Sequence, residues 1–431
     1  MEYQNRRYLS LLSVSNDIDI CHTLEDNIET DYLIIWWWVA GLHAAQALIQ
    51  KKCTVTLVEK SICGWGMSGH SGGFLTPDSE LWLRQLEKTY WNEAARTLWA
   101  YWSAWQLSIV GNIRWYKLNC DLRKQDSLLL WIGKRWAQEV IAEYNDRKAF
   151  SYDAEFIDHH ELWKHNSGQC YNAGVRYTDC YAMNPMLYCQ ELKQQLIKQW
   201  VKIHEFTHVH NLWENFAKTN LGSIRFKKAI ICPWKAEKEI FPGYAVHTYG
   251  IHNYITISEP LSKEQVKSMM PSGECMCRDT QLVFNYYRLT GDRRIVLGGW
   301  NPVSSFQPRE LLEASTINKV IRDFKYIFPS LHDVQFPHYR SGRIQASKDL
   351  MPLIGANKTY PNHYRVQWAV WLPRAAACGR YVTELVHDEA DTTLQSIFSY
   401  DREFLIPWNP SRSLFKAPLF WISNWKAMWL F

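Results

Sequence analysis

Glycine is scarce in this chain: 20 of 431 residues, where about 30 would be an ordinary share. Long apolar runs are missing too, so no segment meets the roughly 18 uninterrupted apolar residues of a membrane-spanning helix. The first 30 residues carry acids where a secretory leader needs its apolar stretch, and a cytoplasmic protein is expected. Neither sign of charge dominates, with 48 Lys+Arg against 43 Asp+Glu. No Lys/Arg stripe is present, which argues against a nucleic-acid partner. The 11 cysteines are an odd number, and the closest pair, Cys275 and Cys277, lacks zinc-site spacing. Reduced thiols are therefore expected. His159, His160 and His165 do not set two ligands on one face with a third nearby, and no metal is expected.

What the chain has in excess is tryptophan, 23 copies. Hydrophobic residues make up 47% and charged residues 21%, the balance of a globular protein with a large core. The length favours two or three folding units.

Residues 32–35 form a short apolar run, followed by Trp36, Trp37 and Trp38 and then by apolar residues at helical spacing from Val39 to Ile49. TVTLVEK (54–60) is β-branched and alternating, and reads as a strand ending at Glu59. The unit is βαβ, and a Gly-rich loop (63–74) follows it. Further helices are expected at 79–110, 134–148, 184–199, 309–328 and 375–386, with a turn or two at 159–167. Strands are expected at 201–206, 224–232, 252–258, 281–289, 294–299 and 342–347. The interleaving predicts a mixed α/β chain with an antiparallel portion.

A βαβ unit that binds a dinucleotide carries G-x-G-x-x-G after its first strand. The glycines allow a tight turn, close approach of the pyrophosphate and close helix packing. Those places here are Trp36, Trp38 and Gly41, and only the third is intact. Glu59 stands where an acid binds the ribose hydroxyls.

Four ordered segments resemble the FAD-dependent amine oxidoreductases of the D-amino-acid oxidase, glycine oxidase and sarcosine oxidase superfamily. They are residues 32–60, GWGMSGHSGGF (64–74), SGRIQASKDLMPLIG (341–355) and VQWAVWLPRAAACGRYVTEL (366–385). GWGMSG is similar above all to the gamma-glutamylputrescine oxidase-like enzymes. The resemblance implies a Rossmann-like FAD-binding domain with a second domain on an antiparallel sheet. It implies FAD contacts at Trp36, Trp37, Trp38, Val39, Ala40, Gly41, Glu59, Lys60, Gly66, Ser68, Gly69, Gly72, Gly73, Gly342, Trp368, Val370, Trp371 and Leu372. His70 and Ser71 stand where Arg and Asn are common. Residues 338–349 hold no Cys, so non-covalent FAD is expected.

The implied division is an N-terminal extension (1–30), a discontinuous FAD-binding domain (31–85, 185–251, 338–395), a substrate domain (86–184, 252–337) and a tail (396–431). Tyr286, Arg288 and Arg343 are candidates for holding a small amine substrate's carboxylate, the arginines by paired bonds and the tyrosine by its hydroxyl. A Tyr-rich strand also fits a plain amphipathic sheet face. The implied reaction is oxidation of a C–N bond with oxygen as acceptor. A same-fold dehydrogenase with another acceptor, or a non-catalytic protein with indoles in the nucleotide cleft, are the alternatives.

Trp200, Trp234, Trp300 and Trp408, like Trp36–Trp38, stand where turns or helix ends call for glycine. This pattern suggests that many of them are glycine in the living cell. A decayed enzyme or a genuinely Trp-rich protein would give the same letters.

Overall fold

The computed structural model describes residues 7–8, 18–36, 39–77, 81–132, 136–233, 247–280, 285–301, 313–367 and 372–404. Strand β1 (Asn27–Ile35) is followed by helix α1 (Val39–Gln50) and strand β2 (Val55–Val58). Helix α2 (Asn92–Tyr116) and strand β3 (Asp126–Trp131) come next, then helix α3 (Pro185–Lys198), β4 (Lys202–His204) and β5 (Ser223–Ile231). The chain continues through β6 (Thr248–Pro260), β7 (Asn285–Leu289), β8 (Arg294–Asn301), β9 (His338–Ser347) and β10 (His363–Gln367) to helix α4 (Leu372–Val386).

Among the described residues five strands are mutually parallel, in the order β4-β2-β1-β5-β10. Two antiparallel strands, Phe216–Thr219 and Val209–Trp213, extend this sheet beyond β5. Parallel strands are covered on both faces and so become continuously apolar, and Leu33, Ile34 and Ile35 of β1 are fully buried. Helices α1 and α4 pack closely on this sheet's core. A Cβ at Gly379 would fall on the Ala40 carbonyl oxygen, so only glycine allows the two helix backbones to approach so closely. Helix α3 begins as its sequence predicts: Pro185 sits in the first turn and Asn184 Oδ1 accepts from Met186 and Leu187 N–H, each at 3.1 Å.

Among the described residues the second sheet has nine strands, in the order Arg7–Tyr8, β9, β6, β8, β7, Cys275–Asp279, β3, Ala173–Tyr177, Ala154–Ile157. Most pairs are antiparallel, and helix Glu313–Ile327 packs against it through Ile317, Val320, Ile321 and Phe324. The β6–β9 ladder runs from Thr248↔Ser347 to Ile257↔His338. The 338–395 segment therefore contributes first to this sheet, and enters the parallel sheet at Leu353–Ala356 and β10. The mixed α/β class expected from the sequence is the architecture found. No described helix is long and apolar enough to cross a membrane.

Candidate active site

The carboxyl ends of β1 and β2 form the first wall of the site. Trp36 follows β1, and its N–H donates to Val58 O at 3.1 Å, closing the turn against β2. Helix α1 starts at Val39, whose N–H donates to Ser68 Oγ at 3.3 Å, so a side chain from the Gly-rich loop meets the helix N-terminus. Val39, Ala40 and Gly41 are buried. Glu59 is half-buried just past β2. Its backbone is fixed between His204 O (2.9 Å) and the Thr207 N–H (2.7 Å), and its Oε1 accepts from the Ser61 N–H at 3.0 Å. Lys60 is exposed, and its Nζ lies 5.4 Å from the centre of the buried Trp36 ring. Trp37, Trp38, Trp368, Val370 and Trp371 lie outside the described residues, as do Trp234 and Trp408. Leu372 is buried at the start of α4.

The loop 61–74 forms the second wall. Gly69 N–H donates to Gly64 O at 3.1 Å, curling the loop on itself. Gly73 has φ +76°, a left-handed conformation, and a Cβ there would fall on the Met183 carbonyl oxygen. His70 is buried, and its Nδ1–H donates to the Gly66 carbonyl at 2.8 Å. That bond leaves Nε2 to accept from Arg340 of β9, whose other nitrogen donates to Trp65 O at 2.8 Å. Burial, reinforced by the Arg340 charge, pulls the His70 pKa down to about 3, so the ring is neutral near pH 7. Ser71 Oγ is buried and has no hydrogen-bond partner among the described residues.

The substrate-side candidates meet this loop. Arg288 is fully buried on β7 and spends its guanidinium on three carbonyls: Gly72 O at 2.5 Å, Met183 O at 2.7 Å and Leu289 O at 3.1 Å. Burial draws its pKa down to about 10, still a cation at neutral pH. Tyr286, half-buried on the same strand, packs edge-on to Phe74 at 5.5 Å and lies against Gly72 and Gly298. Gly342 of β9 underlies the Met67 sulfur, and Arg343 stands opposite His252 in the β6–β9 ladder. Three segments far apart in sequence thus converge: loop 64–74, β7 and β9. The anchors Ser68–Val39 and His70–Arg340 were invisible in the sequence, because nothing local marks a bond between residues 29 or 270 positions apart.

Residues 39–385 match the family described as DAO, FAD dependent oxidoreductase. The chain belongs to that family. Among curated relatives of this DAO protein is the probable oxidoreductase OrdL of Haemophilus influenzae, 24% identical over 335 residues and 75% of each chain. Gamma-glutamylputrescine oxidoreductase of Escherichia coli is 22% identical over 378 residues, 86% of each chain. Glycine oxidase from Geobacillus kaustophilus has the same fold, with a TM-score of 0.72 at 13% identity, covering 87% of this chain and 99% of its own. The DAO protein is thus an FAD-dependent oxidoreductase.

The residues at this site fit FAD at most points. Glu59 lies where a ribose-binding acid belongs, the α1 N-terminus carries the positive end of its helix dipole, and Ser71 Oγ is a buried polar atom still to be satisfied. The exception is position 36, where an indole is buried beside Lys60 at the carboxyl end of the sheet. Dinucleotides in open α/β sheets lie in that crevice.

Proposed function

We propose that this oxidoreductase oxidises the C–N bond of a small amine or amino acid. The junction between β7 and the cofactor loop carries the reading. There Arg288 fixes Gly72 and Met183, and Phe74 and Tyr286 form an aromatic wall beside them. FAD, when bound, supplies the acceptor for a hydride leaving the carbon next to nitrogen. The product imine takes up water to give a carbonyl compound and a free amine. Oxygen takes the two electrons and two protons and leaves as peroxide.

The protein's own part is orientation and exclusion of water. Glu59, Lys60, Ser68, Gly69 and the α1 N-terminus would hold the cofactor, with Gly66, Gly72, Gly73, Gly342 and Leu372 lining its path. Burial raises the Tyr286 phenol, so its hydroxyl stays protonated and able to donate to a substrate carboxylate. Arg343 is the proposed cationic partner for that carboxylate, and Arg288 holds the wall by its carbonyl bonds. Burial pushes the thiol of Cys378 up to about 12 and raises that of Cys232, so neither is a ready nucleophile toward the cofactor. This supports non-covalent FAD. The relatives named for gamma-glutamylputrescine and glycine, both amines, support the substrate class.

The test is anaerobic mixing of the FAD-loaded protein with a panel of primary and secondary amines and amino acids, followed by admission of oxygen. Loss of the flavin's visible absorbance and then peroxide are expected. Loss without peroxide means a dehydrogenase with another acceptor. No loss with any amine or amino acid ends the C–N reading.

A further inference from the structure

Among the described residues, two tryptophans have left-handed backbones that their side chains disfavour, and they are found in unrelated places. Trp200 follows α3. Its N–H bonds to Ile197 O (3.0 Å), and the Val201 N–H bonds to Leu196 O (3.1 Å). This is the two-bond helix ending whose left-handed residue is usually glycine. Trp200 takes that residue's place at φ +68° and is 92% exposed, so no packing of the indole offsets the backbone. Among the described residues, four other chain turns close with the same pair of bonds, and they carry Lys52, Lys117, Ser151 and Asp388, polar residues at home in water. Positive φ alone does not single out tryptophan. A solvent-exposed indole in that position does.

Trp36 is the second. It has φ +58° at the first position of the nucleotide fingerprint, where the turn from β1 into α1 calls for glycine. Its ring fills space next to the residue that follows the ribose-binding acid. By contrast, Trp99, Trp102 and Trp131 lie in regular helix or strand and are fully buried. Trp99 stacks under the Arg147 guanidinium at 4.5 Å, Trp102 under that of Arg374 at 4.5 Å, and Trp131 meets Trp82 at 5.8 Å. At these three sites the ring is packed on every side in an ordinary backbone. These five tryptophans therefore divide into three that the fold buries in regular structure and two that the backbone opposes.

We infer that the protein made in its own host carries glycine at 36 and 200, through a codon that the host reads as glycine and the written sequence renders as tryptophan. Trp99, Trp102 and Trp131 are tryptophan in both. The argument at 36 rests on its left-handed backbone and on FAD occupying the crevice, whereas that at 200 rests on backbone and exposure with no cofactor, so the two can fail separately.

The test begins with fragment-ion mass spectra of peptides covering positions 36, 99, 102, 131 and 200 from protein purified from the native host. Glycine masses at 36 and 200 and tryptophan masses at the other three are expected. One codon should specify positions 36 and 200 in the gene, and a different one the other three. Tryptophan at 200 in the native peptide overturns the inference. A second measurement compares two purified chains, one as written and one with glycine at 36, 38 and 200, after incubation with FAD and desalting. The substituted chain should retain close to one flavin per protein and the written chain almost none. Glycine masses together with a colourless substituted chain would uphold the recoding and remove the cofactor argument at 36.

Discussion

Glu205 offers the sharpest test of how the loop 61–74 is held. Its carboxylate is fully buried. Oε1 accepts from the Cys63 N–H at 2.6 Å, Oε2 from the Cys21 N–H at 2.7 Å, and both face Lys193 Nζ at 3.3 Å. Lys193, also fully buried, donates in addition to the Asp19 carbonyl. One carboxylate thus ties the N-terminal strap, the start of the cofactor loop and α3 to the end of β4. In Glu205→Gln an amide NH2 faces a backbone N–H, and Lys193 keeps a charge with no counter-charge in this pocket. Breaking a buried pair from one side costs about 3–5 kcal/mol. Adding Lys193→Met removes the orphaned charge and leaves about one unmet N–H, a penalty of roughly 1–3 kcal/mol. The double variant should therefore be more stable than the single one. Urea unfolding at matched slope measures both, and in the chain carrying glycine at 36, 38 and 200 FAD retention should fall in parallel because Cys63 opens the loop. A Glu205→Gln protein within about 1 kcal/mol of the parent, or no recovery in the double variant, would refute the reasoning.

Burial also lowers the pKa of His43 to about 3, like that of His70. A depressed histidine contributes stability that is complete above its unfolded value of 6.5 and is lost as pH falls from there toward 3. The loss is about 1.4 kcal/mol per pH unit for each histidine. Unfolding free energies from urea titrations between about pH 7.5 and 5 should show this loss, smaller in His43→Gln by one histidine's share of about 1.4 kcal/mol per pH unit, and an unchanged slope would refute it. Gly379→Ala should cost about 1–3 kcal/mol by forcing α1 and α4 apart, read as a lower melting temperature. Trp200→Gly relieves a left-handed cost of about 1–2 kcal/mol and adds unfolded-chain entropy of about 0.5–1 kcal/mol. The melting temperature should rise slightly, and a clear fall would show that the indole makes a contact of value. Tyr286→Phe should raise KM about 3- to 10-fold for substrates bearing a carboxylate, and leave it unchanged for amines without one.

The sequence carried the opening βαβ unit plainly, because its signals are local: the apolar run of β1, the helical spacing of α1 and the β-branched β2. The helix ends at Asn184–Pro185 were legible for the same reason. Strand β3 (DSLLLW) was missed, because three leucines in a row alternate with nothing and carry no β-branching. Cys275–Asp279 (CMCRD) offered neither pattern and is a strand because β3 and β7 flank it. Of the site, the Gly-rich loop and Glu59 could be read directly. That Arg288 would reach Gly72 could not, since its partner is a backbone carbonyl 216 positions away.

The order of the parallel sheet has a consequence for synthesis. Strand β1 is central and pairs with β2 almost at once, but its other neighbour is β5, with Asn27 opposite Ser223. At 5–20 residues per second, the roughly 200 residues between them take about 10–40 s to be translated. For that interval the central strand of the parallel sheet has one open hydrogen-bonding edge on the ribosome. The nascent chain is exposed to mispairing there until β5 arrives, and a delay in translation between residues 60 and 220 should lower soluble yield more than the same delay after residue 231.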